Sequence, residues 1–242
     1  MKIIAMITAR STSSRFPRKH LAMLGGKPMI VQILNNLKGL SGISEIVLAT
    51  TTNPEDDDLV ALVKQQNCDV VRGSEDDLTQ RHGAVLDKYN PDAVLNISGD
   101  CPFMDIEAVQ AVINACNEHP YYDTYGIRGA YSRSVEMFAG IHSASWFLKL
   151  FDLYKKHPLS CSADQYWLVT QQYPKAISAY TVDGSKYMDK TVTPIKMSVD
   201  WELERQFYNA IIDHLGYYPI RVRDFDKAFR EMKDMDFVWS KK

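Results

Sequence analysis

Lys2-Ile3-Ile4-Ala5-Met6-Ile7-Thr8, followed at once by Ala9-Arg10-Ser11-Thr12-Ser13-Ser14-Arg15-Phe16-Pro17-Arg18-Lys19, is the stretch on which the fold turns. Residues 2–8 form a short, near-continuous apolar run at the head of the chain. That is the pattern of a central strand buried on both faces. The run ends in a polar, basic loop that extends to about Gly26. Arg10, Arg15, Arg18 and Lys19 supply four cations, and Ser11, Thr12, Ser13 and Ser14 four hydroxyls. In a parallel α/β sheet, ligands bind outside the carboxyl ends of the strands, where this loop would lie.

Working outward, Pro28 opens a helical pattern carried by Ile30, Val31, Ile33, Leu34 and Leu37. Ile46–Ala49 is a second strand. Asn53-Pro54-Glu55 reads as an N-cap with proline in the first turn of a helix to about Gln66. Asp69–Val71 is a third strand, and Ser74 with Asp77 resembles a capping box opening a helix to about Tyr89. Ala93–Ile97 is a fourth strand, closed by Ser98-Gly99-Asp100-Cys101-Pro102, with a helix from about Ile106 to Cys116. This alternation predicts βαβ units and a mostly parallel sheet. The second half breaks the rhythm. Strands are expected at Ser134–Ile141 (antiparallel), Ala176–Val182 and Ile195–Val199. Helices are expected at about 143–156, 163–172 and Glu202–Leu215, with a capping helix in the tail from Arg221. One domain over 1–242, with a small inserted β/α subregion at about 120–190, is the simplest reading.

The chain has 242 residues, 28 Lys and Arg against 30 Asp and Glu, and 45% hydrophobic residues. That length buries a core without staples, and the composition is too apolar for disorder. Near-neutral charge argues against a nucleic-acid partner that needs a broad basic footprint. No apolar run reaches a membrane span. The four cysteines form no CxxC pair, and no cleavable leader is legible, so a cytoplasmic protein is expected.

Three places carry candidate chemistry. The basic loop suits a polyphosphate, because guanidinium forks, an ammonium and hydroxyls are its natural donors. It is neither GxxxxGK[ST] nor GxGxxG, and a solvated basic loop is the alternative. Asp100, on a tight turn after strand four, suits Mg²⁺; a turn-forming aspartate is the alternative. Asp200, before a helix, suits the same ion or serves as an N-cap. The six histidines show no metal-ligand spacing. Cys101 is read as a small buried thiol. Tyr121, Tyr122, Tyr125, Tyr131 and Phe138 suit a cleft, a subunit interface or ordinary packing.

The segment ITARSTSSRFPRKHLAMLGGKPMI resembles the N-terminal signature of sugar-activating cytidylyltransferases, with Arg10, Ser13, Ser14, Arg15, Pro17, Lys19 and Leu21 on the pattern. EIVLATTTNPEDD, VVRGSEDDL and NISGDCPFMD are similar to the spore-coat polysaccharide branch, and SVDWELERQF to its late metal-aspartate segment. The resemblance implies a Rossmann-like, glycosyltransferase-A-type nucleotidyltransferase fold. It implies transfer of CMP from CTP to a sugar-like, acidic acceptor, with pyrophosphate released, for surface polysaccharide or glycan synthesis. The implied cofactor is Mg²⁺ on Asp100 and Asp200, and the implied catalytic residues are Arg15, Lys19, Asp100 and Asp200. The implied nucleotide site is Ala9, Arg10, Ser11, Thr12, Ser13, Ser14, Arg15, Lys19, Asn96, Ser98, Gly99 and Asp100, with Arg10, Ser13, Arg15 and Lys19 as triphosphate clamp. Glu136 and Arg133 are expected at the acceptor. Thr12 stands where the family has glycine, Ser98 where the acidic-sugar enzymes often have glutamine, and the family's middle stretch is not legible in Ser162–Trp167.

Two other functions fit the scaffold. A glycosyltransferase would carry D-x-D after a strand; Gly99-Asp100-Cys101-Pro102 lacks it, and Asp234-Met235-Asp236 lies too late. A non-catalytic nucleotide-binding or assembly module is the third. The expected partners are CTP and a small acceptor, with no nucleic acid and no membrane, and a homodimer is expected through the inserted aromatic region.

Overall fold

The structure is a computed structural model that describes residues 1–128, 140–156, 178–185, 187, 197–219 and 221–232. The chain opens with β1 (Ile3–Thr8), a short β2–β3 hairpin (Met23–Leu24, Lys27–Pro28), α1 (Met29–Lys38) and β4 (Ile43–Thr51). Then come α2 (Asp57–Gln65), β5 (Asp69–Gly73), α3 (Leu78–Tyr89), β6 (Ala93–Ser98) and α4 (Ile106–Glu118). The remaining elements are β7 (Thr124–Arg128), β8 (Gly140–Ser143), α5 (Ala144–Lys156), β9 (Ala179–Asp183), α6 (Glu202–Leu215) and α7 (Val222–Glu231).

Seven strands form one sheet in the order β5-β4-β1-β6-β8-β7-β9. Strands β4, β5 and β6 join β1 in parallel, and β9 pairs parallel with β7. Strand β8 runs antiparallel to both its neighbours. The architecture is thus α/β with a mostly parallel central sheet. From β1 the chain adds β4 and β5 on one side, then crosses to β6 on the other. Strand order therefore reverses at the β1–β6 pair, and the loops leaving these two strands part to open a crevice.

Strand β1 is central because both its faces are apolar. Ile3, Ala5 and Ile7 pack with α1, α2 and α4, whereas Ile4 and Met6 pack with Val85 and Leu86 of α3 and Trp146, Phe147 and Leu150 of α5. These five of the six β1 residues have no exposed surface. A third apolar cluster sits off the sheet. It joins Leu24, Met29, Phe103, Met197 and Val199 to Phe207, Tyr208, Ile211 and Ile212 of α6 and Phe225 and Ala228 of α7. No helix among the described residues is long and apolar enough to cross a membrane.

Several boundaries differ from the sequence reading. The expected strand Ile195–Val199 is absent over its described part, Met197–Val199, whose apolar side chains are buried in the third cluster instead. The residue types alternate along the sequence, but Ser198 is buried as well, so this is a connecting segment enclosed by a cap, which periodicity does not distinguish from a strand. Asn53 caps a single 3₁₀ turn (Pro54–Asp56) before α2 begins. Asp77, not Ser74, caps α3: its carboxylate accepts from the Gln80 N–H, while the Ser74 hydroxyl accepts from the Asp77 N–H. Of the strand expected at Ser134–Ile141, only Gly140 and Ile141 lie within the described residues, where they begin β8. The helix expected at 163–172, Tyr131, Phe138, Ser162–Trp167 and Asp234-Met235-Asp236 lie outside them.

Candidate active site at the mouth of the central strands

A cleft of about 380 Å³ opens at the carboxyl ends of β1 and β6. Thr8, Ala9, Arg10, Thr12, Ser13, Ser14, Arg15, Lys19 and His20 line it from the first loop. Asn96, Ile97, Ser98 and Asp100 line it from β6, and Glu75, Asp76, Leu78, Arg81 and His82 from the start of α3.

The two candidate metal aspartates, 100 residues apart in sequence, meet at Lys19; Asp100 lines the cleft and Asp200 lies outside that lining. The Lys19 ammonium donates to Asp100 Oδ2 at 2.7 Å and to Asp200 Oδ1 at 3.0 Å. An Arg15 guanidinium nitrogen lies 2.9 Å from the same Asp200 oxygen. Lys19 is 5% exposed and Asp200 7%. The fold brings the aspartates together in two ways. The Val199 N–H donates to the Asp100 carbonyl at 2.8 Å. Behind that bond, Phe103, three residues past Asp100, packs its ring on Tyr208 and Phe225 of the cap, with centroids 4.6 and 5.0 Å away. Asp200 is not the cap of α6. Trp201 holds that position, and Glu204 accepts from the Asp200 and Trp201 N–H groups at 2.6 and 3.1 Å.

The β6 turn is equally constrained. Gly99 passes so close to β1 that a Cβ there would fall 2.6 Å from Ala9 Cβ and 2.9 Å from the Thr8 carbonyl. The His20 ring bonds the Gly99 carbonyl at 2.8 Å, tying the Lys19 turn to the Asp100 turn. The Ser98 hydroxyl donates to Asp100 Oδ1. Burial pushes the Asp100 carboxyl up, but the Lys19 ammonium, the Ser98 hydroxyl and nearby His20 outweigh it and hold it below its ordinary value. Burial, with the Lys19 charge, depresses His20.

The basic loop divides between two sides. Arg15 and Lys19 face the aspartates. Thr12 donates to Glu75 Oε1 at 2.7 Å, and Arg10 lies 3.7 Å from that oxygen. The structure therefore splits the clamp expected from the resemblance. Arg18, in the left-handed region (φ 56), pairs with Asp58 outside the cleft lining. Ser11 also lies outside that lining: its backbone N–H donates to buried Asp56 at 2.6 Å, and its buried hydroxyl has no hydrogen-bond partner among the described residues. The buried Asn96 carboxamide oxygen, on a residue that lines the cleft, likewise has none among them. Glu136 and Arg133 lie outside the described residues.

Sequence reasoning passed over His82, Arg81, Glu75 and Asp56. His82 is buried, shares a 2.8 Å hydrogen bond with the Thr8 hydroxyl, and is pushed down to about 3 by burial and by the neighbouring charges of Arg81 and His142. It is therefore a neutral ring at pH 7. Asp56 and Glu75 lie within the quoted EIVLATTTNPEDD and VVRGSEDDL stretches, but the part each of the four plays shows only in the three-dimensional approach of α3 and the Pro54 turn.

A crevice of this kind, at a reversal of strand order, is where α/β sheets bind ligands. The cytidylyltransferase family profile matches residues 4–241, and the chain belongs to that family. It is 34% identical over 125 residues to an 8-amino-3,8-dideoxy-manno-octulosonate cytidylyltransferase of Shewanella frigidimarina, covering 50% of this chain and 49% of that protein. It is 32% identical over 146 residues to the uncharacterized protein MJ1063 of Methanocaldococcus jannaschii, 60% of each. These matches span about half to three-fifths of the relatives' length.

Among solved structures, a cytidylyltransferase from Leptospira borgpetersenii superposes with a TM-score of 0.82 at 18% identity, covering 99% of this chain and all of that one. A CMP:2-keto-3-deoxy-manno-octonic acid synthetase complexed with CTP gives 0.64 at 18%, with 88% and 99% covered. A manganese complex of Rv0371c from Mycobacterium tuberculosis gives 0.59 at 15%, with 86% and 98% covered. At these identities the superpositions establish the fold alone.

Proposed function

We propose that this protein is a divalent-metal-dependent cytidylyltransferase that transfers CMP from CTP to an acidic, sugar-like acceptor and releases pyrophosphate. The observation that carries the reading is the convergence of Asp100 and Asp200 on one point, beside a loop of cations and hydroxyls, at the switch point of the sheet. The residues fit a metal of the Mg²⁺ class. Such ions take one or two carboxylates and complete their shell with water and substrate phosphates, and the described residues hold no cluster of three or more His, Cys, Asp or Glu that would serve another metal.

Asp100 and Asp200 would hold the ion, which when bound neutralises charge on the phosphates. The chain does the rest by positioning. Arg15 and Lys19 stabilise the pyrophosphate as it leaves. Arg10, Thr12, Ser13 and Ser14, with Ala9 in the cleft wall, cradle the triphosphate, and Ser11 supports the loop from behind through Asp56. The Asn96 oxygen accepts a hydrogen bond from the nucleotide, which satisfies an acceptor otherwise buried at a cost. Ser98 and Gly99 keep the Asp100 carboxylate aimed into the cleft. The acceptor oxygen attacks the α-phosphorus in line, and catalysis comes from alignment and charge. Glu136 and Arg133, in the expected insertion, contact the acceptor. The relatives named for octulosonate cytidylyltransfer support an acidic sugar. A homodimer through the 120–190 region completes the proposal; Tyr121 there is 89% exposed. A monomer by light scattering would remove that part.

The test is a pyrophosphate-release screen of four nucleoside triphosphates against acidic-sugar acceptors, with Asp100→Asn beside the wild type. Release with CTP alone, abolished in a folded Asp100→Asn protein, is expected. Near-normal turnover by the variant would remove Asp100 from the metal role, and sugar transfer from a nucleotide-sugar without pyrophosphate would replace the reading with a glycosyltransferase.

A further inference from the structure

We infer that Lys19 is the resident counter-ion of the aspartate pair, and that a divalent cation enters this site only together with a nucleotide triphosphate that draws the lysine away. The inference rests on the reading above but concerns a property of the empty protein.

Three observations carry it. First, the Lys19 ammonium sits where a shared cation would, 2.7 Å from Asp100 and 3.0 Å from Asp200, on a side chain that is almost wholly buried. Secondly, Arg15 engages the same Asp200 oxygen, so two carboxylates already face two cations. A dication approaching this neutral set gains little attraction and has to displace a buried ion pair, and stranding one member of such a pair is costly. Thirdly, no third metal-ligating side chain joins the pair among the described residues, so the protein alone offers a divalent ion only two ligands.

The position of Lys19 is built rather than incidental. Its turn is closed by the Leu21 and Ala22 N–H groups bonding back to the Arg18 and Lys19 carbonyls at 2.9 and 3.1 Å, and His20 anchors it to Gly99. Only the flexible four-carbon stem of Lys19 is free to swing. A triphosphate entering the cleft offers its ammonium, and the Arg15 guanidinium, a stronger anion than either carboxylate. The lysine then becomes a phosphate ligand, the carboxylates lose their counter-ions, and Asp100 and Asp200 would be free to hold the metal. Linkage makes the effect reciprocal: nucleotide raises metal affinity by the factor by which metal raises nucleotide affinity.

The experiment titrates Mn²⁺, read by electron paramagnetic resonance of the free ion, into the full chain without nucleotide and then with CTP. Wild-type protein alone should bind no tighter than about millimolar, the weak end for carboxylate sites. Lys19→Gln retains a hydrogen-bond donor toward the aspartates and should bind Mn²⁺ alone at least about tenfold tighter, within the usual range of coupling factors. Lys19→Met, run beside it, should do the same. Micromolar Mn²⁺ binding by the nucleotide-free wild type, which needs no variant, overturns the inference. So does the absence of a gain in both folded variants. Failure of the cytidylyl reading is separate: it would show as no pyrophosphate release with CTP, while the Mn²⁺ titrations still decide the role of Lys19.

Discussion

Asp56 is the residue whose removal tests how the first loop is held. Its carboxylate has no exposed surface. It accepts from the Ser11 N–H at 2.6 Å, the Thr50 hydroxyl at 2.8 Å, the Thr51 N–H at 3.0 Å and the Thr51 hydroxyl at 2.5 Å. One side chain thus joins the end of β4 to the loop that follows β1. In Asp56→Ala the two hydroxyls can rotate toward other acceptors, but the two N–H groups are fixed by backbone. Each buried donor left unsatisfied costs about 1–3 kcal/mol, and a charge-assisted hub costs more, so the loss should be on the order of 3–5 kcal/mol. For a chain of this size that lowers the melting temperature by roughly 10 °C or more. Asp56→Asn keeps one acceptor oxygen but turns an NH₂ toward one set of donors, so an intermediate loss is expected.

The pH dependence has a definite sign. Burial raises the Asp56 carboxyl, yet the Thr51, Ser11 and Thr50 donors together hold it below its ordinary value of 3.8. A carboxylate depressed in the folded state contributes stability that is complete above the unfolded value and is lost as pH falls through the folded one. Urea unfolding of the wild type and both variants, at pH 7 and through the acid range below pH 4, measures both effects. A loss under about 0.5 kcal/mol for Asp56→Ala at pH 7, the scale of an ordinary surface change, would refute the hub.

Three further outcomes follow from the geometry. Gly99→Ala places a Cβ 2.6 Å from Ala9 Cβ and 2.9 Å from a backbone oxygen, so β1 and β6 have to part; a cost of about 1–3 kcal/mol and a fall in kcat are expected from unfolding curves and turnover. Phe103→Ala empties the centre of the cap cluster and should cost about 3–5 kcal/mol. It should also weaken pyrophosphate release beyond the effect of a comparable Leu150→Ala cavity under α5, because only Phe103 braces the Asp100–Val199 contact. Burial depresses His82 to about 3 and His142 to about 4, so both are neutral when folded and take up protons on unfolding below their ordinary value of 6.5. Their contribution is present above 6.5 and declines as pH falls toward 4, by about 1.4 kcal/mol per pH unit per ring. Flat urea midpoints between pH 7 and 5 would contradict it.

The parallel half of the fold was legible because its signals are local. The continuous apolar run of β1, the proline at the start of α1 and the Asn53-Pro54 turn each read from a few neighbouring residues. Asp77 was read one half-motif early, since Ser74 also bonds within the same turn. The segment before Asp200 was misread for a different reason. Met197 and Val199 alternate with polar neighbours in the sequence, but α6 and α7, which follow them in the chain, bury them together with the intervening Ser198. In the site, the loop composition and both aspartates were visible. The direction of the Lys19 side chain, the Asp56 hub and the neutral His82 depend on distances across 40 to 180 residues, which no spacing along the chain encodes.

The near balance of 28 cations and 30 anions acquires a local meaning from this geometry. Composition averages charge over the chain, but the cleft itself is also nearly balanced, because Arg15 and Lys19 are answered by Asp200 and Asp100, and Arg10 by Glu75. Such a cleft exerts little long-range pull on anions. Its affinity has to come from exchange, as each incoming phosphate takes a cation that already has a partner. The partners released would be the carboxylates proposed to hold metal. One of them, Asp200, is held beside Lys19 where Val199 bonds the Asp100 carbonyl and packs in the aromatic cap around Phe103. The cap is therefore the element that completes the site, and loosening it should disconnect metal affinity from nucleotide affinity before it unfolds the sheet.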